Sequence, residues 1–151
     1  MTSRAYVSAV SKGTVTISGA PVKLKELVTE AEFFRLSKPL EIPVDGLYHA
    51  PLLYDDADVQ EIMGQWSDDG KPWSPSRNIL STGTGQTLTA SHPDLLLQLA
   101  VAEILKQPLN WDNCLEGMLA HVNRYSAREV IVFSLGTDHA SRGVVAKLRI
   151  G

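Results

Sequence analysis

The chain has one cysteine among 151 residues, no stretch of about 18 apolar residues, and no stripe of lysines and arginines. A lone thiol excludes an internal disulfide framework. Without a long apolar run or a signal-peptide pattern, neither a bilayer-spanning helix nor secretion is expected, and the expected compartment is the cytoplasm. The formal net charge of -3, with acidic and basic residues interspersed, leaves no electrostatic footprint for nucleic acid or an anionic membrane surface, so neither is expected as a partner. Also missing is any G-x-S-x-G or G-x-C-x-G elbow that would present a nucleophile on a strained turn. The four histidines show no metal-site spacing, so no metal is expected.

What is present is ordinary core material. At 44% hydrophobic content the chain can fill one globular core or one part of a larger one. Strand-like sequence begins almost at once after Met1-Thr2-Ser3-Arg4, which suggests a start inside a domain.

Two alternating runs, Ala5 to Val10 and Thr14 to Ser18, flank Ser11-Lys12-Gly13 and predict a hairpin. Ser18-Gly19-Ala20-Pro21 opens a helix with Pro in its first turn, carrying Leu24, Leu27, Val28 and Ala31 on one face and ending before Pro39. Leu40 to Val44 then reads as a strand. The resulting ββαβ unit resembles three quarters of a ferredoxin-like subdomain without its first strand and helix.

Asp55-Asp56-Ala57-Asp58 suits a helix N-terminus, continued by Val59, Ile62, Met63 and Trp66. Residues 67–78 read as a loop, and Asn78 to Thr82 as a short strand before the turn at Gly83-Thr84-Gly85. Ser91-His92-Pro93-Asp94 predicts a helix start, and the segment from Leu95 to Leu105, apolar nearly all round, predicts a buried helix stopping before Pro108. Leu115, Met118, Leu119 and Val122 give an amphipathic helix from Trp111, and Glu129 to Leu135 reads as a buried strand closed by Gly136.

The chemistry concentrates on His49, the single histidine delivered by the alternating run Ile42 to Tyr54 just after Gly46. A base there can take a proton from a nucleophile and return it to a leaving group, as acyl transfer requires. The competing reading is a loop histidine satisfied by hydrogen bonds. Cys114, beside a helical apolar face, reads as a small buried hydrophobe. Ser81 to Thr87 lacks the lysine of a phosphate loop and reads as a turn between short strands. The pairs Asp55-Asp56 and Asp68-Asp69 read as solvated cap and loop residues, His92 as part of a cap, His121 as near a helix end and His139 as a loop residue.

Four segments carry a family resemblance: Ala5 to Val10, Thr14 to Gly19, Gly46-Leu47-Tyr48-His49-Ala50-Pro51, and Ile104-Leu105-Lys106-Gln107-Pro108-Leu109-Asn110-Trp111-Asp112. In colinear order they resemble the C-terminal half of the starter-unit acyl-carrier-protein transacylase domain of fungal non-reducing polyketide synthases. The resemblance implies an α/β fold of the malonyl-transferase type, an α/β-hydrolase-like core with a ferredoxin-like subdomain. On that reading residues 5–45 form the incomplete subdomain and residues 46–151 the C-terminal part of the core.

The resemblance also implies transfer of a starter acyl group from a thioester to a carrier-protein phosphopantetheine, with His49 as base and the backbone carbonyl of Gln107 as its orienting partner. Nucleophile and oxyanion-hole donor would lie in an N-terminal half that this chain lacks. The implied partners are that half and an acyl carrier protein, with acyl-CoA as a donor and no cofactor bound by the chain itself. Leu47 and Leu52 stand where the family commonly has Pro and a second His, but the segment still differs from the Phe-His or Ser-His of extender-unit transferases. Two rivals accompany this expectation: a non-catalytic module for carrier docking or dimerisation derived from an acyltransferase, and a small independent α/β domain in which His49 is structural.

Overall fold

A computed structural model describes residues 4–44, 46–64, 75–125 and 131. Trp66, Asp68, Asp69, His139 and, apart from Ile131, the strand expected over Glu129 to Leu135 lie outside the described residues. Those described form a mixed α/β structure with a three-stranded sheet and five helices. None of the helices among them is long and apolar enough to cross a membrane.

The hairpin pairs β1 (Tyr6–Ser11) antiparallel to β2 (Thr14–Ser18), turning at Gly13, whose φ of 80° suits a residue without Cβ. The register slips between Val7 and Ala9, so Ser8 is a bulge residue. Its hydroxyl is satisfied inside the hairpin, 2.7 Å from Ser18 Oγ and donating to the Thr16 carbonyl at 3.4 Å.

The helix expected to run up to Pro39 is two helices. Pro21 takes the first position of α1 (Pro21–Glu30), and α2 covers Glu32–Ser37. Ala31, extended at φ -87° and ψ 115°, serves both. Its N–H donates back to Leu27, while its carbonyl accepts from Phe34 and Arg35 and so starts the next helix. Lys38 ends α2 in the left-handed region, and Pro39 after it cannot continue the helix.

The expected strand from Leu40 to Val44 does not form, and its Leu40, Ile42 and Val44 side chains are exposed. Pro39 and Pro43 each remove a ladder donor, which disfavours pairing across this run. The third place in the sheet goes to β3 (Leu109–Asn110), parallel to β1 through Ala9↔Leu109 and Val10↔Asn110. The order is therefore β2-β1-β3, with a strand from late in the chain where the ββαβ expectation had put residues 40–44.

Asp55 caps α3 (Asp56–Met63), accepting from Ala57 N at 2.8 Å and Asp58 N at 3.2 Å, while the Asp58 carboxylate accepts from Asp55 N at 2.7 Å. This reciprocal pair closes the helix start. Asp56 is solvated, as read above, and in that exposed position pairs with Lys106, the last residue of α4 (Pro93–Lys106). The last helix, α5 (Trp111–Arg124), starts at Asn110, whose side chain accepts from Asn113 N at 3.0 Å.

Within α4 only Glu103 and Leu105 are buried, while Leu95 and Ile104 are exposed. A helix apolar on most sides needs cover on most sides, and among the described residues it packs chiefly on α3. The expectation of a buried helix therefore holds only for its C-terminal turn. The buried apolar residues among those described are Tyr6, Ala50, Val59 and Leu105, whereas Phe33, Leu36, Leu40 and Leu52 stand exposed.

Candidate active site: a histidine fastened to a helix end

The exposed Tyr48 ring lies over Gly46, where a Cβ would meet it at 1.9 Å. The Tyr6 hydroxyl donates to the Tyr48 carbonyl at 3.3 Å. Burial, reinforced by nearby Tyr54, pushes the Tyr6 phenol above its ordinary value, so it stays a donor.

His49 itself has φ 55°. For a residue with a Cβ this left-handed backbone costs roughly 1–3 kcal/mol and persists only where surrounding bonds hold it. Two bonds do so: His49 N donates to Ile104 O and Ala50 N to Leu105 O, each at 2.7 Å. Both acceptors belong to the last turn of α4, where carbonyls have no helical partner. The 49–50 segment thus caps α4 from outside, with Ala50 fully buried beneath it.

The ring makes the third bond. His49 Nδ1 lies 2.8 Å from the carbonyl oxygen of Gln107, the C-cap of α4. Gln107 adopts φ -107° and ψ 129°, the extended backbone favoured before proline, which turns its carbonyl out of the helix direction. A carbonyl only accepts, so Nδ1 carries the hydrogen and the neutral ring keeps its lone pair on Nε2. The half-buried His49 therefore has a defined proton acceptor. The structure brings together the two residues that the family resemblance pairs across 58 positions.

The other candidates fall elsewhere. Cys114 is half-buried on α5, and burial, with the Glu103 carboxylate second, pushes its thiol up, which suppresses the nucleophilic thiolate. His121 Nδ1 lies 3.3 Å from Asn78 Nδ2 and the ring packs edge-on against Tyr125, while His92 is the N-cap position of α4. Ser81 to Thr87 is a turn closed by a Leu80↔Thr87 bridge. Among the described residues no cluster of His, Cys, Asp or Glu could hold a metal ion.

Sequence reasoning missed Tyr6 and Glu103. Tyr6 gives no local signal, since its partner lies 42 residues away. Glu103 does: it is the one carboxylate within the otherwise apolar run from Ala100 to Leu105.

Residues 1–49 match the family described as "Starter unit:ACP transacylase in aflatoxin biosynthesis". The chain is 32% identical to an atrochrysone carboxylic acid synthase of Passalora fulva over 159 aligned residues, covering 99% of the chain and 9% of that protein. It is 34% identical to an atrochrysone carboxylic acid synthase of Aspergillus chevalieri, covering 93% of the chain and 8% of that protein. It is 39% identical to the non-reducing polyketide synthase albA of Aspergillus niger, covering 93% of the chain and 6% of that protein. The chain therefore spans less than a tenth of the length of these relatives.

Proposed function

Because the chain belongs to the starter-unit:ACP transacylase family of fungal non-reducing polyketide synthases, we propose that it supplies the catalytic base of starter-unit acyl transfer. The observation that carries this reading is the 2.8 Å contact of His49 Nδ1 with the Gln107 carbonyl, which leaves Nε2 free to accept a proton. The fold it would complete is of the malonyl-transferase type, with residues 5–45 as part of the ferredoxin-like subdomain and residues 46–151 as part of the hydrolase-like core.

Nε2 of His49 takes the proton from a Cys or Ser nucleophile supplied by sequence outside this chain as that atom attacks the carbonyl carbon of an acyl thioester. The tetrahedral intermediate collapses, the carbon–sulfur bond breaks, and the departing thiolate takes the proton from Nε2. In the second half-reaction Nε2 takes a proton from the phosphopantetheine thiol of an acyl carrier protein, whose sulfur attacks the acyl-enzyme. The proton then returns to the released nucleophile. Throughout, the Nδ1–H bond to Gln107 holds the ring in one tautomer and orientation.

The test is acyl loading of the carrier domain by the full-length synthase carrying His49→Ala. Loss of a positioned base is expected to slow loading by about 10²- to 10⁴-fold. Unchanged loading would overturn the proposal, and intact carrier binding alongside it would favour the docking-module reading.

A further inference from the structure

Glu103 is 9% exposed, and a carboxylate this deeply placed is costly unless its oxygens are bonded. Its partners all lie on one short loop. Ser81, itself 2% exposed, donates its hydroxyl to one carboxylate oxygen. Thr82 donates its backbone N–H at 3.2 Å and its hydroxyl at 3.4 Å to the other. Ser81 Oγ in turn accepts from Thr84 N at 3.0 Å, so the carboxylate organises the loop as well as attaching it.

The loop held this way presses on the residues that carry the Gln107 carbonyl. A Cβ on Gly83 would stand 2.9 Å from Gln107 Oε1 and 3.4 Å from the Pro108 carbonyl. Thr82 O accepts from Asn110 N at 2.9 Å, and Gly83 O accepts from Asn113 Nδ2 at 3.1 Å. The chain after Gln107 is thereby tied to the loop at Asn110 and Asn113, with Gly83 lying close against Gln107 and Pro108. Glu103 also acts through its backbone, since its carbonyl accepts from Gln107 N at 3.1 Å. Glu103 thus meets this segment twice: its backbone carbonyl takes the Gln107 amide as the last helical bond, and its side chain holds the loop whose Thr82 carbonyl bonds Asn110, three residues beyond Gln107.

We infer that Glu103 is a positioning residue for the transfer reaction, holding the Gln107 carbonyl on His49 Nδ1 through the Ser81–Thr82 loop. This rests on the assignment of His49 as base. An apolar side chain could fill the same volume at the end of an apolar helix, but it could not set the loop's position by three directed bonds.

The test is steady-state acyl loading by the full-length synthase carrying Glu103→Ala, Glu103→Gln or Ser81→Ala, each alone and combined with His49→Ala. Misplacing the ring partner should lower kcat about tenfold or more while leaving KM for the acyl donor within about twofold. Glu103→Gln, which keeps an acceptor for Ser81, should recover part of the loss. In the His49→Ala background the same substitutions should cost nothing further, because the ring they position is gone. If Glu103→Ala fails to fold, the Gln and Ser81 variants, which change little volume, carry the comparison. Folded variants with wild-type kcat, or losses that persist undiminished beside His49→Ala, would overturn the inference. Full loading by His49→Ala alone would instead overturn the assignment of the base.

Discussion

His49 and Gln107 are joined by one hydrogen bond, 2.8 Å from ring Nδ1 to backbone carbonyl, and each reaches it by leaving regular backbone. His49 adopts φ 55°, and Gln107 steps out of α4 into extended backbone before Pro108. The contact therefore depends on two irregular residues, each restrained by its neighbours.

Pro108 is one of those restraints. Replacing it by alanine restores a residue that lets Gln107 stay helical, which would rotate the carbonyl back toward the helix axis. Pro108→Ala in the full-length synthase is expected to lower kcat for acyl loading about tenfold with little change in donor KM, since the ring partner moves and the nucleophile does not. Steady-state loading kinetics check it, and an unaltered kcat would show that proline does not set this geometry.

Tyr6 is another. Its buried hydroxyl donates to the carbonyl of the peptide leading into His49. Tyr6→Phe keeps the ring and removes only that bond, so chemical denaturation should show a loss of about 1 kcal/mol. Acyl loading should fall with it by a smaller factor than for Pro108→Ala, because two backbone bonds to Ile104 and Leu105 still hold His49.

The meeting of His49 with Gln107 was legible only through the family resemblance; proline marks where the helix must open but names no partner for the carbonyl it frees. The hairpin was legible from its alternation and from Gly13. The strand at residues 40–44 was misread, because alternation reports which face a segment could bury and not whether a neighbouring strand exists to pair with it. The actual third strand, Leu109–Asn110, is two residues long and has no periodicity to read. Glu103 and Tyr6 act through partners 21 to 42 residues away, and those distances exist only once the chain has folded.

Cys114 separates a structural thiol from a nucleophile. Its raised pKa means that folded and unfolded states both hold the proton below the ordinary value of 9.0, and the unfolded thiol ionises first above it. Stability should therefore fall as pH climbs past 9, and Cys114→Ala should remove that part of the slope in denaturation curves. At neutral pH iodoacetamide should modify the folded protein much more slowly than the unfolded chain, and Cys114→Ser should leave acyl loading intact. An acyl adduct on Cys114 would reverse this assignment.

Gly117 and Gly85 bring backbone against backbone between α5 and the 81–87 turn. A Cβ on Gly117 would lie 2.0 Å from the Gly85 carbonyl oxygen, and one on Gly85 would lie 1.9 Å from the Asn113 carbonyl oxygen. Neither neighbour is a side-chain tip that could swing aside, so the loop would have to lift from the helix. Gly117→Ala is expected to cost about 3 kcal/mol or more, as overpacking against main chain does. Because Asn113 binds the Gly83 carbonyl at this same junction, lifting the loop should lower acyl loading as well as the melting temperature. Gly13→Ala supplies the contrast: its φ of 80° is unfavourable for alanine, as the helical backbone of Gly117 is not, yet nothing lies within 4 Å of the added methyl. It should cost only the backbone strain, about 1–2 kcal/mol, and leave loading untouched. A loss in Gly117→Ala no larger than that in Gly13→Ala would mean that the loop shifts off the helix at little cost and that their close approach does not constrain residue 117.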